Sequence, residues 1–494
     1  MHKFITFVRI GKIRTPSVMP RSNLVKNSAI YALGDIVPKL LAFIIFPILS
    51  EYLSPEQYGI VSYVNTLNTF LVIACFLCLN TYYLVYYYRV EGPVEQAKLL
   101  GNITIFVTGL NIIITALLFL TGNRIFSSFG SDMDFFPYIA IGVATNFCNV
   151  FSVLPSALFR VQERPLPLVI LNILKGVITT GLTLVLVIGC GFKAIGVLYA
   201  GLIVSAVFAV IFAAITYRNM IWNFDWKQIK HALKFSLPLL PGSIAYYIVT
   251  MSDRILIDKY LDLFRLGIYS TASSLALVLN IVSYGAYKAI EPFFFKNYGA
   301  PDFNQNFNRI FNAYFIVMML GAVCIGIYAK DFIILLVDEQ YLPAYRYVPF
   351  VLIGVVAASV RMMFSTVITA QSRTKINAAI TIIGGAISVI LNVLLLQRMG
   401  IMAACISSAV STCFMLGCSI YFSKIRIEYG KHALIILLCC ATVWVSVYLL
   451  QTGALWLSLT IKTILIFIVL YLALKILGVK SETLFLSLLK RNNS

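Results

Sequence analysis

The stretch 27-NSAIYALGDIVPKLLAFIIFPILSEYLSPEQYGIVSY-63 decides the fold, because one long apolar run leads through a short polar segment into another. A helix that spans a bilayer needs about 20 mostly apolar residues. The first run covers residues 27–49, and the polar segment EYLSPEQYG joins it to the next run. The sequence therefore predicts two consecutive spanning helices here.

The same pattern recurs along the whole 494-residue chain. We predict fourteen spans near residues 27–49, 59–85, 100–121, 135–158, 166–189, 194–217, 235–257, 266–290, 308–329, 346–370, 376–397, 400–422, 431–450 and 456–477. Hydrophobic residues make up 60% of the chain and charged residues 12%, against about 45–50% and about 25% in soluble domains. The predicted fold class is an all-α polytopic membrane protein, which excludes soluble enzymes, secreted proteins and nucleic-acid-binding proteins.

The formal net charge of +19 arises from cations that lie between the apolar runs. If the N-terminus is inside, 26 of the 38 Lys and Arg residues fall on the cytoplasmic side and eight on the opposite side. Cytoplasmic loops of membrane proteins carry this excess of positive charge. We therefore predict a multi-pass protein with both termini in the cytoplasm.

The chain also repeats itself at a nearly constant offset. A shift of 208 lays Tyr52-Leu53 on Tyr260-Leu261, Gly59 on Gly267 and Ser62 on Ser270, and a shift of 209 lays Gln162 on Gln371 and Arg164 on Arg373. Each copy has six spans, an even number, so both copies have the same orientation in the membrane. Parallel repeats of this kind are a transporter architecture with the substrate site between the halves.

The repeat predicts two six-helix lobes followed by a helix pair. The predicted segments are a cytoplasmic arm (1–23), the first lobe (24–218), a cytoplasmic linker (219–232), the second lobe (233–427) and the terminal helix pair with its tail (428–494).

Residue patterns for catalysis are missing. The chain has no phosphate-binding G-x-x-x-x-G-K-[ST] motif, and its three histidines stand in predicted loops away from any nucleophile pattern. The lone CxxC at Cys75 and Cys78 has no second pair or nearby histidine to complete a metal site. We therefore expect no enzyme activity, no catalytic residue, no metal and no cofactor.

Charged residues within the spans are the main functional signal, because each costs roughly 2.5–3.5 kcal/mol near the bilayer centre. Asp35 and Lys39 share a helix face and form either a neutral pair or a gate. Lys175 and Arg361 have no carboxylate three or four residues away, so each needs an acidic partner on another helix or an anionic substrate.

Candidate anion-binding residues are Lys39, Lys175, Arg361, Arg254 and Lys288, and candidate gating or ion-coupling residues are Asp35, Asp253 and Glu291. Lys462, near the start of the last span, is expected at the membrane interface.

Small polar residues form a stripe on the second span and again on its repeat mate. The two sets are Ser62, Asn65 and Thr66, and Ser270, Ser273 and Ser274. They favour a hydrated cleft between the lobes, although helix packing through small residues would produce the same stripe. Aromatic residues that could stack on sugars there are Tyr246, Tyr247 and Tyr284.

Three segments carry a resemblance to a known family: residues 27–63 quoted above, KFSLPLLPGSIAYYIVTMSDRILIDKYL (234–261) and FRVQERP (159–165). They resemble the O-antigen flippase (Wzx-like) branch of the multidrug/oligosaccharidyl-lipid/polysaccharide (MOP) exporter superfamily. The resemblance implies a two-lobed flippase with a cation-lined cavity that works by alternating access. Its implied substrate is undecaprenyl-diphosphate-linked oligosaccharide, moved from the inner to the outer leaflet of the bacterial cytoplasmic membrane. On this basis the candidate cations would bind the diphosphate, and membrane lipids and other glycan-assembly proteins would be partners.

Other functions stay open at this stage. One is a drug or cation antiporter of the same superfamily, and another is a membrane-bound polymerase or ligase acting on the same lipid-linked glycan. A third is a scaffold for glycan assembly. Transport could be coupled to protons or sodium, or driven by consumption of the glycan outside.

Overall fold

The structure, a computed structural model, describes residues 21–128, 133, 135–448 and 455–477, and the regular structure in these ranges is helical. Thirteen helices among the described residues are long and apolar enough to cross a membrane. A shorter apolar stretch of the first helix, Ile36–Ser50, occupies most of the first predicted span. The prediction of an all-α polytopic membrane protein is confirmed.

The chain divides into two compact units, Met1–Gly267 and Ile268–Ser494. The helices that begin in the first unit are α1 (Arg21–Ser50), α2 (Pro55–Phe76), α3 (Leu79–Tyr86), α4 (Gly92–Ser128), α5 (Ala140–Val150), α6 (Val153–Val161), α7 (Pro165–Leu184), α8 (Lys193–Asn219), α9 (Trp226–Ser236), α10 (Leu240–Tyr260) and α11 (Leu263–Asn297). Those of the second unit are α12 (Phe303–Leu336), α13 (Val348–Ala370), α14 (Thr374–Met399), α15 (Ile401–Ser423), α16 (Tyr429–Tyr448) and α17 (Leu455–Leu477). The division falls within α11, and the lobe and linker boundaries derived from the repeat stay a prediction.

The polar segment that precedes α2 starts the helix by capping it. The Ser54 hydroxyl accepts a hydrogen bond from the Gln57 backbone N–H, and the Gln57 side chain accepts one from the Ser54 N–H. This reciprocal pair satisfies two backbone donors that a helix start would otherwise leave free. At the offset of 208, the Asp262 carboxylate accepts from the Arg265 N–H at 2.6 Å. The helix that follows is therefore capped at the equivalent position in both copies of the repeat.

Helices α2 and α11 approach closely at two glycines that the repeat relates. A Cβ atom on Gly59 would overlap the carbonyl oxygen of Leu263, and one on Gly267 would overlap the carbonyl oxygen of Pro55. Gly59 thus faces the residue four positions before Gly267, and Gly267 faces the residue four positions before Gly59. Small residues permit such close backbone contact between helices in membranes.

Two further features repeat in the same way. The Thr66 hydroxyl donates to the Ser62 carbonyl at 2.8 Å, and its mate Ser274 donates to the Ser270 carbonyl at 2.9 Å. The turns after α6 and α13 both have a left-handed middle residue, with φ of 56° at Glu163 and 60° at Ser372. In both turns the following arginine N–H bonds the carbonyl five residues earlier, at 2.9 and 3.1 Å. The internal repeat is therefore visible in hydrogen bonds as well as in sequence.

The second predicted span, 59–85, is not one continuous helix. Leu77 and Cys78 adopt left-handed backbone conformations with φ of 46° and 61°, which separate α2 from α3. The Leu77 N–H still bonds the Ile73 carbonyl at 2.9 Å, so the break leaves that group satisfied. Non-glycine residues seldom adopt this conformation, and apolar periodicity gives no signal for it.

We expect Gly59→Ala and Gly267→Ala each to lower the free energy of unfolding by about 1–3 kcal/mol, because the added methyl group must push two backbones apart. Gly201→Ala, in α8 where no atom lies within 4 Å of the new Cβ, is the matched control and should not destabilise. Thermal unfolding of the detergent-solubilised variants measures the effect. Equal melting temperatures for all three variants would contradict the close contact.

Candidate substrate-binding site

Lys175 lies inside the first unit, where α5, α7 and α8 meet. Its ammonium nitrogen donates to the Asn149 side-chain oxygen at 2.7 Å, and the buried Ser205 hydroxyl donates to the same oxygen at 3.0 Å. Among the described side chains, no carboxylate oxygen lies within 4.0 Å of the Lys175 nitrogen. A neutral amide therefore holds this half-buried cation.

Arg361 occupies a comparable place inside the second unit, where α13, α14 and α15 meet. Its guanidinium donates to the Thr381 hydroxyl at 2.7 Å and, at 3.4 Å, to the Asn377 side-chain oxygen and the Ser419 hydroxyl. The Asn377 amide donates in turn to the Ser365 hydroxyl at 2.6 Å. Amide and hydroxyl groups on α14 and α15 thus orient the guanidinium.

The two cation clusters are built on corresponding helices of the repeat, with the cation on a different helix in each. In the first unit the cation stands on α7 and the amide on α5, whereas in the second the cation stands on α13 and the amide on α14. The pattern of one cation, one asparagine and one serine is therefore shared although the positions are not. No match in the sequence repeat links Lys175 with Arg361.

Three residues that were predicted for separate roles come together near the end of α11. The Lys288 ammonium forms an ion pair with Glu291 at 2.9 Å and lies 5.4 Å from the centre of the Tyr284 ring. The Tyr287 hydroxyl donates to the other Glu291 oxygen at 2.9 Å and lies 2.7 Å from the Thr366 hydroxyl of α13. The Lys288 and Glu291 side chains are 37% and 27% exposed, so both charged groups are partly accessible.

The first helix packs against the helix that carries Lys175. A Cβ on Gly34 would contact Val169, and one on Gly176 would contact Pro38 at 3.3 Å. Lys39, one residue after that proline, is exposed. The Asp35 side chain lies outside the described residues, so its predicted pairing with Lys39 stays a prediction.

The other predicted residues are divided between buried and exposed places. Asp253 is buried on α10, and the neighbouring Arg254 donates to the Thr250 carbonyl at 3.4 Å. Tyr246 is 52% exposed and stands edge-to-face with Tyr247, with ring centres 5.3 Å apart. The remaining stripe residues range from buried to exposed: Thr66 and Ser270 are buried, Ser62, Ser273 and Ser274 are half-buried, and Asn65 is exposed.

Sequence reasoning missed the partners of these cations. Lys462 is buried and forms an ion pair with Asp331 at 2.5 Å, and its expected position at the membrane interface stays a prediction. The pair joins α17 to α12, and the neighbouring Tyr328 and Thr463 hydroxyls lie 2.7 Å apart. The two charges are 131 positions apart in the sequence, so no local spacing links them. Asn149, Ser205 and Thr381 were missed for the same reason.

The chain matches the profiles of two known protein families. The profile of the family described as polysaccharide biosynthesis protein matches residues 24–298, more than half of the chain, and the MatE profile matches residues 238–394. A protein of Haemophilus influenzae described as an uncharacterized membrane protein is 22% identical over 283 residues, which are 56% of this chain and 66% of that relative. The alignment therefore spans just under two thirds of the relative's length.

Solved structures show the same fold. The lipid II flippase MurJ in an inward closed conformation matches with a TM-score of 0.76 and 13% identity, over 93% of this chain and 99% of that one. An inward-facing multidrug resistance MATE family transporter of the MOP superfamily matches with a TM-score of 0.58 and 12% identity, over 86% and 98%. These matches confirm that the chain has the fold of this superfamily.

We expect Lys462→Met to lower the free energy of unfolding by about 3–5 kcal/mol, because it leaves the Asp331 carboxylate buried without its ion-pair partner. The double variant Lys462→Met/Asp331→Leu should recover most of this loss. Lys98→Gln, which breaks the exposed pair with Glu95, is the control and should cost no more than about 1 kcal/mol. If Lys462→Met and Lys98→Gln unfold at the same temperature, the buried pair does not hold the last helix in place.

Proposed function

Because the chain belongs to the polysaccharide biosynthesis protein family, we propose that it moves a lipid-linked oligosaccharide from the inner to the outer leaflet of a bacterial cytoplasmic membrane. The substrate class is a glycan repeat unit, of O-antigen or another surface polysaccharide, on undecaprenyl diphosphate. The protein acts by alternating access and performs no covalent chemistry on the glycan. The family and the MOP-superfamily fold support transport in general, and the charges within the helices support this substrate class.

The cluster around Lys175 is the observation that carries the proposal. An ammonium ion in a low-dielectric environment interacts with a nearby anion far more strongly than it would in water. The Asn149 amide satisfies one ammonium proton and leaves the positive charge in place. A diphosphate supplies the negative charge that such a site favours, whereas a cationic drug would be repelled. Arg361, oriented by hydroxyl and amide groups within the second unit, is a second cation that would attract a diphosphate.

The half-buried cluster on α11 supports binding of the sugar part of the substrate. Aromatic rings such as Tyr284 can stack on the apolar faces of sugar rings, and a charged pair such as Lys288 with Glu291 can bond sugar hydroxyls. Tyr287 belongs to the same cluster through its bond to Glu291. The end of α11 therefore combines an aromatic ring with charged groups that can bond sugar hydroxyls.

A cation antiporter is the second candidate, because two carboxylates are buried on α10. Asp253 and Asp258 are each 2% exposed. Buried acidic residues in membrane helices commonly bind protons or metal cations during transport. The same residues would serve a flippase if proton or sodium movement drives it, so they fit ion coupling in either function.

We expect the double variant Lys175→Gln/Arg361→Gln to abolish surface glycan while the protein level is retained. A charge-assisted hydrogen bond contributes about 1.5–3 kcal/mol, so each substitution alone should lower transport by roughly ten-fold or more. Lys175→Arg should retain part of the activity, and the exposed Lys98→Gln should retain all of it. Glycan display in a strain that depends on the variant measures transport. Normal display from the double variant would exclude the proposed diphosphate site.

We expect Asp253→Asn to remove the dependence of transport on an ion gradient, because an amide cannot take up or release a proton at this position. Proteoliposomes with an imposed proton or sodium gradient, compared with vesicles without one, measure this dependence. Asp302→Asn, at an exposed turn, is the control. If the wild-type protein transports at the same rate in all vesicles, ion coupling is absent and glycan consumption outside must supply the direction.

A further inference from the structure

The segment between α8 and α10 presents aromatic and basic side chains together on the surface of the first unit. We call these residues the linker surface: Trp222, Phe224, Trp226, Lys227, Lys230 and Lys234, all of them exposed. Trp222 is 70% exposed, a large value for the largest apolar side chain. Exposed groups of this kind usually mark a contact with a partner or a membrane.

The linker surface is held in a fixed conformation by α4. The side chain of Asn102, which is fully buried, accepts a bond from the Asp225 N–H at 3.2 Å and donates to the Asp225 carbonyl at 3.0 Å. The Ile221 N–H bonds the Ala97 carbonyl at 3.1 Å. The Asp225 carboxylate then caps α9 by accepting from the Lys227 N–H at 2.8 Å. The aromatic side chains are therefore presented by an ordered backbone.

The aromatic residues of this segment form two pairs of ring contacts. Met220 and Asp225, near its two ends, have extended backbone angles. The rings of Phe224 and Trp226 lie 6.4 Å apart, and Trp222 stacks on Tyr217 at 5.6 Å. We call Trp222, Phe224 and Trp226 the aromatic strip.

The lysines share one face of α9. Lys227, Lys230 and Lys234 are spaced three and four residues apart, which places them on one side of a helix. The opposite face is buried: it presents Ile229, Ala232 and Ser236, which are fully enclosed. The lysines therefore cannot turn inward, and they form a fixed positive face beside the aromatic strip.

The strip directly follows α8, so the lipid-facing side of α8 indicates the depth of the strip in the membrane. The exposed apolar residues Ile203, Val207 and Val210 follow one face of α8, and Tyr217 continues that face at its end. Such a face lies against lipid chains in a membrane protein. Because Trp222 stacks on Tyr217, the strip begins where the lipid-facing side of α8 ends, which is the depth that tryptophan prefers.

We propose that the linker surface binds the headgroups of anionic glycerophospholipids in the leaflet beside it. The aromatic strip inserts at the level of the headgroups, and the three lysines bind lipid phosphates and the additional negative charge. Basic amphipathic helices with aromatic residues bind anionic bilayers in this way, and each lysine near such a surface contributes to the attraction. This inference concerns the protein's lipid environment and is independent of the transported substrate.

Tryptophan quenching by brominated lipids tests the proposal on the full chain. The chain has four tryptophans, so a Trp444→Phe/Trp456→Phe background leaves only Trp222 and Trp226 as reporters. The protein is placed in nanodiscs of phosphatidylethanolamine with a small, fixed fraction of lipid brominated near the headgroup end of its chains. The brominated lipid is either phosphatidylglycerol or phosphatidylethanolamine, and no glycan substrate is present.

We expect brominated phosphatidylglycerol to quench at least about two-fold more than brominated phosphatidylethanolamine at equal fraction. The difference should vanish in Lys227→Gln/Lys230→Gln/Lys234→Gln and persist in the control Arg373→Gln/Lys375→Gln/Lys424→Gln, which loses the same charge elsewhere. Equal quenching by the two lipids would overturn the headgroup preference. Absence of quenching by either lipid would overturn the membrane contact and indicate a protein partner for the strip.

Discussion

Inside a bilayer no water completes a hydrogen bond, and the rest of this structure depends on that constraint. Each spanning segment must satisfy its own backbone, so helices are the regular structure of the described chain. Side-chain hydroxyls obey the same rule by bonding carbonyls one turn earlier, as Thr66 and Ser274 do. Charged groups must likewise find partners within the protein. The buried pair of Lys462 with Asp331 and the amide-held Lys175 are two different solutions.

The difference between these two solutions bears on function. A lysine paired with a buried carboxylate is neutralised and holds two helices together, which is a structural role. A lysine held by an amide keeps its charge and can attract an anion. Buried carboxylates are also present on α10, so the helices hold charges of both signs. A flippase that binds a diphosphate and moves an ion would need both kinds of group.

The sequence was sufficient for the features that repeat or depend on composition. Apolar runs predicted the helices, and the offset of 208 paired Gly59 with Gly267, which the fold places where α2 and α11 approach closely. It was insufficient where distant residues meet or where the backbone leaves the helix. The break at Leu77 and Cys78 has no marker such as proline or glycine. Asn149 looked like an ordinary polar residue until the fold placed Lys175 against it.

The most direct test of the proposed function measures whether the purified protein moves a lipid-linked glycan from one leaflet to the other. The protein is reconstituted into liposomes containing an undecaprenyl-diphosphate-linked oligosaccharide, and an enzyme that cannot cross the membrane modifies the glycan from outside. We predict that the protein makes the inner-leaflet pool accessible within minutes, whereas empty liposomes keep about half of it protected. Protection of that pool in the presence of the protein, together with protein-dependent movement of an organic cation, would contradict the proposed function.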